Sequence, residues 1–246
     1  MTDILRSEWT KIRSVRSTVW TLAVTALLML GIATLISASA KGSADGPIPA
    51  DAAIAMGLIG SMFASLSMAT LGVLVISSEY RTGGIRTSLM AVPKRMSLLT
   101  GKIVVFTAVS LVVCTVASAA SLLVSLAITR PPSLETGAVV QAVVGGGLYL
   151  TACGLFGLGL GAVIRHTPGA IVSAIALMLV LPQMTTMLPG QWGKTVSDYF
   201  TTNAGSQIVM HQGSNSLGPW SGFGVYLAWI AVAWIAGAVL MQKRDA

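Results

Sequence analysis

The sequence predicts an all-α polytopic membrane protein, a single transmembrane domain over residues 1–246 with six membrane-spanning helices. Three observations carry the prediction. Only 9% of residues are charged, where a water-soluble domain has about a quarter, while 54% are hydrophobic and the mean hydropathy is +0.81. Uncharged stretches recur six times: Ser17–Ala40, Ala52–Ser78, Ile103–Thr129, Thr136–Ile164, His166–Gly193 and Tyr199–Gln242. At about 1.5 Å of rise per helical residue, each exceeds the ~30 Å hydrocarbon layer. These runs lack the alternation of barrel strands, so each must satisfy its own backbone as a helix.

Placed along the chain, the spans are expected at about 18–39, 54–77, 103–128, 138–164, 168–187 and 222–241. Ahead of the first, Leu5, Trp9, Ile12 and Val19 share one helical arc and Arg6, Lys11 and Arg13 lie elsewhere, which predicts an interfacial helix. Glu8 and Arg16 intrude on its apolar face, and a plain membrane anchor competes with that reading. Ala38-Ser39-Ala40 imitates a signal-peptide cleavage site, but the apolar run before it exceeds the usual 7–15 residues, so the first span is expected to be retained.

With the N-terminus inside, the inner side holds Arg6, Lys11, Arg13, Arg16, Arg81, Arg86, Lys94, Arg95, Lys102, Arg165, Lys243 and Arg244. Only Lys41, Arg130 and Lys194 of the 15 basic residues fall outside. Acids divide evenly, with Asp3, Glu8, Glu79 and Asp245 inside and Asp45, Asp51, Glu135 and Asp198 outside. Positive residues hold the cytoplasmic side, so both termini are expected to face the cytoplasm. The net charge of +7 is therefore topological. No nucleic-acid partner is expected, because the basic residues are split among four inner segments without an interleaved aromatic platform; anionic lipid headgroups fit better.

Several chemistries are excluded. Cys114 and Cys153 lie deep in spans without metal-ligand spacing and are read as packing residues. His166 and His211 fall on opposite faces; His166 is read as an interfacial helix-end residue, and no metal site or catalytic constellation emerges. Gly193-Lys194-Thr195 lacks the glycine a phosphate-binding loop needs five residues earlier, where Leu188 stands. All eight acids lie in loops or at span ends, which disfavours an ion-coupled carrier.

The sharpest local signal is the inner stretch Glu79–Lys102, EYRTGGIRTSLMAVPKRMSLLTGK. Gly83-Gly84 turns the chain, Ile85, Leu89 and Val92 recur on one helical face, and Pro93 interrupts the pattern. A short amphipathic surface helix is expected there, its apolar knob rimmed by Arg86, Lys94 and Arg95. A positive topology anchor is the competing reading.

With SEWTKIRSVRST leading into the first span, EYRTGGIRTSLMAVPKR after the second, six spans and a long outer interval before the last, the chain resembles the permease subunits of the ABC-2 type exporter family. The resemblance implies the type V exporter-like architecture, a dimer of six-helix permeases with two cytoplasmic ATP-binding subunits. It further implies an N-terminal connecting helix at residues 3–16 and a coupling helix at 83–93, with Ile85, Arg86, Leu89, Val92, Lys94 and Arg95 receiving ATPase motion. Glu79, Tyr80 and Arg81 match the family's acidic-aromatic-basic exit from span two, where an ion pair or a helix-end cap is expected. No cofactor is expected on this chain; ATP and Mg2+ belong to the partner, and the chain is not expected to be an enzyme.

Gly157 and Gly161 form a GxxxG pair, with Gly154 and Gly145–Gly147 nearby, and are expected to pack within the bundle more than at a dimer seam. Pro168 suits the first turn of span five, whose Ser173 and Ala174 could support the family's dimer contact. Met62, Phe63, Leu66, Ile175, Met178 and Leu181 are candidates for a substrate path, with packing the competing role. The outer segment 188–221 carries Trp192, Tyr199, Phe200 and Trp220 and is expected to fold back at headgroup depth. The function expected is export of a hydrophobic or amphipathic substrate by alternating access. A non-transport membrane anchor or assembly subunit is the alternative.

Overall fold

The computed structural model describes residues 2–44, 46–82, 95–210 and 217–243, and among them it is helical with no strand. A short helix α1 (Thr2–Ser14) ends at Val15, whose extended backbone starts the first long helix α2 (Arg16–Ser43). Next come α3 (Ala50–Leu58), α4 (Ser61–Thr82), α5 (Arg95–Thr129) and α6 (Thr136–Ile164). The chain continues as α7 (Thr167–Ile175), a π-helical turn (Ala176–Val180) and α8 (Leu181–Thr185). Helices α9 (Gly190–Asp198) and α10 (Thr201–Gly205) and a 3-10 turn (Ser206–Ile208) precede α11 (Pro219–Lys243). Among the described residues six stretches are long and apolar enough to cross a membrane: Arg16–Ser43, Ala50–Tyr80, Leu99–Thr129, Thr136–Ile164, Thr167–Thr185 and Pro219–Leu240.

Two of these are not the continuous helices expected at 54–77 and 168–187. The second breaks at Ile59-Gly60, where a Cβ on Gly60 would lie 3.0 Å from the Cα of Met29. The break lets α4 restart against α2 at backbone distance. The fifth contains the π-helical turn ahead of Pro182. Proline has no N–H and its ring crowds the carbonyl of the preceding turn, which frees carbonyls that lipid cannot satisfy. Those of Leu177 and Met178 accept the hydroxyls of Thr201 and Thr202, each at 2.7 Å, and Asn203 Nδ2 donates to the carbonyl of Pro182. The outer segment is thereby fastened onto the weak point of the fifth span.

Helix α6 is the hub. In its most apolar window 72% of residues are buried, against 17% in the first span. Lipid supplies no hydrophobic force between helices, so close backbone approach is what holds them. A Cβ on Gly72 would overlap the carbonyl of Gly154, and one on Gly157 the carbonyl of Ala69, so α4 and α6 touch backbone to backbone. Gly161 faces Val73 and Ile76, which places the GxxxG pair inside the bundle. Tyr226 of α11 is buried between Tyr149 and Phe156 of α6 and donates to Cys153 Sγ at 3.5 Å, while Cys114 is buried in α5. Hydroxyls tie the remaining helices: Thr25 bonds Ser67, and Ser37 donates to Ser125, which donates to the carbonyl of Ala53.

Substituting Gly157 by Ala should therefore overpack the α4–α6 contact and cost about 1–3 kcal/mol. Gly31 faces open space on α2, where alanine gains up to about 1 kcal/mol of helix propensity. Thermal unfolding in detergent should show a lowered midpoint for Gly157→Ala and an unchanged or raised one for Gly31→Ala.

Candidate functional site

At one end of the bundle four ionisable side chains close a ring. Lys102 Nζ at the start of the third span lies 2.7 Å from Glu8 Oε2 and 2.9 Å from Glu79 Oε1. Lys11 Nζ lies 2.6 Å from Glu8 Oε1 and 3.0 Å from the same Glu79 oxygen. Charges alternate around the ring and cancel. Glu8 and Lys102 are nearly inaccessible, with side chains 2% and 4% exposed. Three separate elements, α1, the exit of α4 and the start of α5, thus meet in one neutral cluster.

Local sequence explains why the residues converge. Ile4, Leu5, Glu8, Lys11 and Ile12 recur at three- and four-residue intervals and form the face that α1 turns to the bundle. Gly101 leaves room for Ile4, whose side chain a Cβ there would meet at 2.6 Å, and this brings α1 down beside Lys102. Glu8, taken from the sequence as an intruder on an apolar arc, is instead the most buried residue of the docked face. Trp9, assigned to that arc, is 52% exposed.

Electrostatics follow from the ring. Burial pushes the Glu8 carboxyl up, but Lys102 and then Lys11 outweigh it and hold the group below the ordinary carboxylate value. Burial pushes the Lys11 ammonium down, and hydrogen bonds from it to Glu8 and Glu79 more than reverse this, so its value is raised. Among the described residues Glu79 Oε2 has no hydrogen-bond partner.

The expected span-two exit is divided in role. Glu79 joins the ring, whereas the Tyr80 ring lies beneath the Arg165 guanidinium at 5.0 Å. Arg81 closes α4, its side chain outside the described residues. Arg165 Nη2 donates to the carbonyl of Leu240, so the turn between spans four and five is tied to the end of the sixth. His166 caps α7 by accepting the Gly169 N–H at Nδ1, 3.3 Å away. The N-terminal helix, the exit of span two, the start of span three, the span-four turn and the end of span six all share one end of the bundle. At the other, Lys41 reaches the carbonyl of Ile128, and Asp51, Gln141 and Gln207 line one cavity of about 590 Å3.

Ile85, Arg86, Leu89, Val92 and Lys94 lie outside the described residues, as does the side chain of Arg95. What the structure supplies is the anchorage of the segment that holds them: Glu79 before it and Lys102 after it are joined at 2.9 Å. Of the substrate-path candidates, Met178 is buried in the core and Leu66 is partly buried against it. Met62, Phe63, Ile175 and Leu181 are exposed on the surface of the single subunit. Sequence reasoning missed the ring, although Glu8 and Lys11 stand one helical turn apart and opposite charges flank the inner stretch at 79 and 102.

Over residues 4–181, more than half its length, the chain matches the family described as ABC-2 family transporter protein. The chain belongs to the ABC-2 family. No curated protein matches it. Membership makes it a multi-pass membrane subunit of an ABC transporter that is not itself catalytic, and it implies pairing with an ATP-binding subunit. The matched region takes in all four ring residues and the whole inner stretch between spans two and three of this ABC-2 subunit.

Truncating one member of a buried ion pair leaves the other charge uncompensated, at about 3–5 kcal/mol. Glu8→Gln and Lys102→Met should each free α1, seen as increased mobility of a spin label at Thr10. In the wild type, Glu8 contributes stability above the ordinary carboxylate value, lost as pH falls through its lowered one. Lys11 contributes below the ordinary lysine value, lost as pH rises through its raised one. The label should therefore be immobile at neutral pH, mobile in acid once the pH falls below the ordinary carboxylate value and through the lowered one of Glu8, and mobile again in strong alkali.

Proposed function

We propose that this chain is the permease subunit of an ATP-driven exporter in a bacterial plasma membrane, with both termini cytoplasmic. It moves a hydrophobic or amphipathic substrate outward by alternating access. A second permease, either another copy of this chain or a homologous one, completes the pair that works with two cytoplasmic ATP-binding subunits, which hold ATP and Mg2+ and perform the hydrolysis. The observation that carries the reading is the charge ring, which fastens both flanks of the 79–102 stretch to the N-terminal helix.

Supported in this way, the stretch works as a handle. In this reading residues 83–93 take the coupling role, Ile85, Leu89 and Val92 supplying an apolar knob and Arg86, Lys94 and Arg95 a polar rim. Closure of the ATPases pushes this knob, and the ring passes the push to spans two and three and to α1 as one unit. The two global states are inward- and outward-facing arrangements, which nucleotide binding repopulates. Met62, Phe63, Ile175 and Leu181 are apolar surface that the second permease would enclose, and substrate meets them there.

Affinity purification from the native membrane, followed by ATPase and vesicle transport assays, tests the reading. Wild-type protein should recover an ATP-binding subunit and move cargo only with ATP. Arg86→Glu and Leu89→Asp should uncouple hydrolysis from transport. Normal assembly and coupled transport in both variants would remove the handle, and transport driven by an ion gradient without ATP would remove the exporter.

A further inference from the structure

A second feature at the same end of the bundle belongs to neither the ring nor the coupling stretch. Tyr80, Arg165, His166, Thr167, Pro168, Ile171 and Val172 line a cavity of about 760 Å3, within the usual size of small-ligand sites. Its polar rim and apolar wall are separated along the membrane normal. Arg165 and His166 sit in the turn between two spans, and Val172 lies five residues into α7, about 7.5 Å deeper. Val172 is 66% exposed, so the wall opens toward lipid.

The rim is arranged to donate. Arg165 adopts a left-handed backbone (φ 57°), unusual for a residue with a side chain, and that conformation carries its guanidinium over Tyr80. Nη2 is used by Leu240, but the buried Nε has no hydrogen-bond partner among the described residues. His166 accepts at Nδ1, which leaves Nε2 as the N–H donor of the neutral ring. Thr167 is committed to Ser77 Oγ at 3.0 Å. One guanidinium and one imidazole N–H above an apolar wall match a singly charged phosphodiester carrying acyl chains. A free phosphate, partly dianionic at neutral pH, would find no second cation among the described residues that line the cavity and would gain nothing from the wall.

We propose that this cavity binds the phosphodiester of a membrane phospholipid, with Arg165 and His166 holding the phosphate and an acyl chain lying along Ile171 and Val172. The proposal rests on the reading above only for which leaflet supplies the lipid. A lipid held there bridges the ends of spans two, four and five.

Native mass spectrometry of the full chain, delipidated in detergent and offered phosphatidylglycerol and a diacylglycerol of the same acyl chains together, tests it. Wild-type protein should retain phosphatidylglycerol about tenfold over the diacylglycerol, which has the same acyl chains and no phosphate, the discrimination expected of a charge-assisted hydrogen bond. Arg165→Gln should abolish that preference. Because Arg165 also ties Leu240 and Tyr80, Val172→Trp is the second variant. It leaves those contacts intact and fills the wall, and it should lower retention by a similar factor at an unchanged melting midpoint. Equal retention of both lipids, or no loss in Val172→Trp, would overturn the site. Inorganic phosphate binding that depends on Arg165 but not on Val172 would show a free-anion site and overturn the lipid assignment. None of these readouts involves ATPase coupling, so the site and the exporter reading fail separately.

Discussion

Removing Glu8 and Lys102 from water has to be compensated, and only the closed ring with Lys11 and Glu79 does so. A single buried carboxylate or ammonium would neutralise or draw in water. Four alternating charges within 3.0 Å of their neighbours offset one another. Because the members come from α1, α4 and α5, the requirement to stay paired becomes a requirement that three elements keep one relative position. That geometric constraint, more than any net gain in stability, is what a buried ionic cluster supplies here. It turns an amphipathic helix and two span ends into a rigid base for the inner stretch.

Beyond the base, rigidity comes from a different source. Helix α6 packs by small residues against α4 and by aromatics against α11, so displacement at the charged end is carried through closely packed helices. The fifth span is built differently: a π-helical turn and Pro182 interrupt it, and Thr201, Thr202 and Asn203 from the outer segment take over the freed carbonyls. A stiff hub beside a span with a mended break is an arrangement in which two global packings can differ at few points.

Much of this was legible in the residues. Uncharged runs located the six spans because lipid leaves a helix no alternative, and the glycines of α6 pointed to internal packing because only small side chains allow backbone contact. The break at Ile59-Gly60 was hidden, since apolar residues continue through it and the cause is the distant backbone of Met29. The π-helical turn was equally hidden: Pro182 marks a fault, but the hydroxyls that mend it come from residues 201–203. The ring was read backwards. Glu8 looked like a defect on α1, because an amphipathic pattern cannot show that the opposing face carries Lys102. His166, read as a helix-end residue from Arg165 beside it, does cap a helix, and the resemblance seen in SEWTKIRSVRST and EYRTGGIRTSLMAVPKR led to the family that the match over residues 4–181 establishes.

The account stands on α1 and the start of span three moving as one body. Distance measurement by electron spin resonance between labels at Thr10 and Val104, both exposed positions away from the ring, tests this in the assembled transporter with and without bound nucleotide. One narrow distance, the same in both states and broadened when Lys102 is replaced by Met, is the predicted result. A distance that changes with nucleotide in the wild type, or a distribution already broad there, would contradict the account.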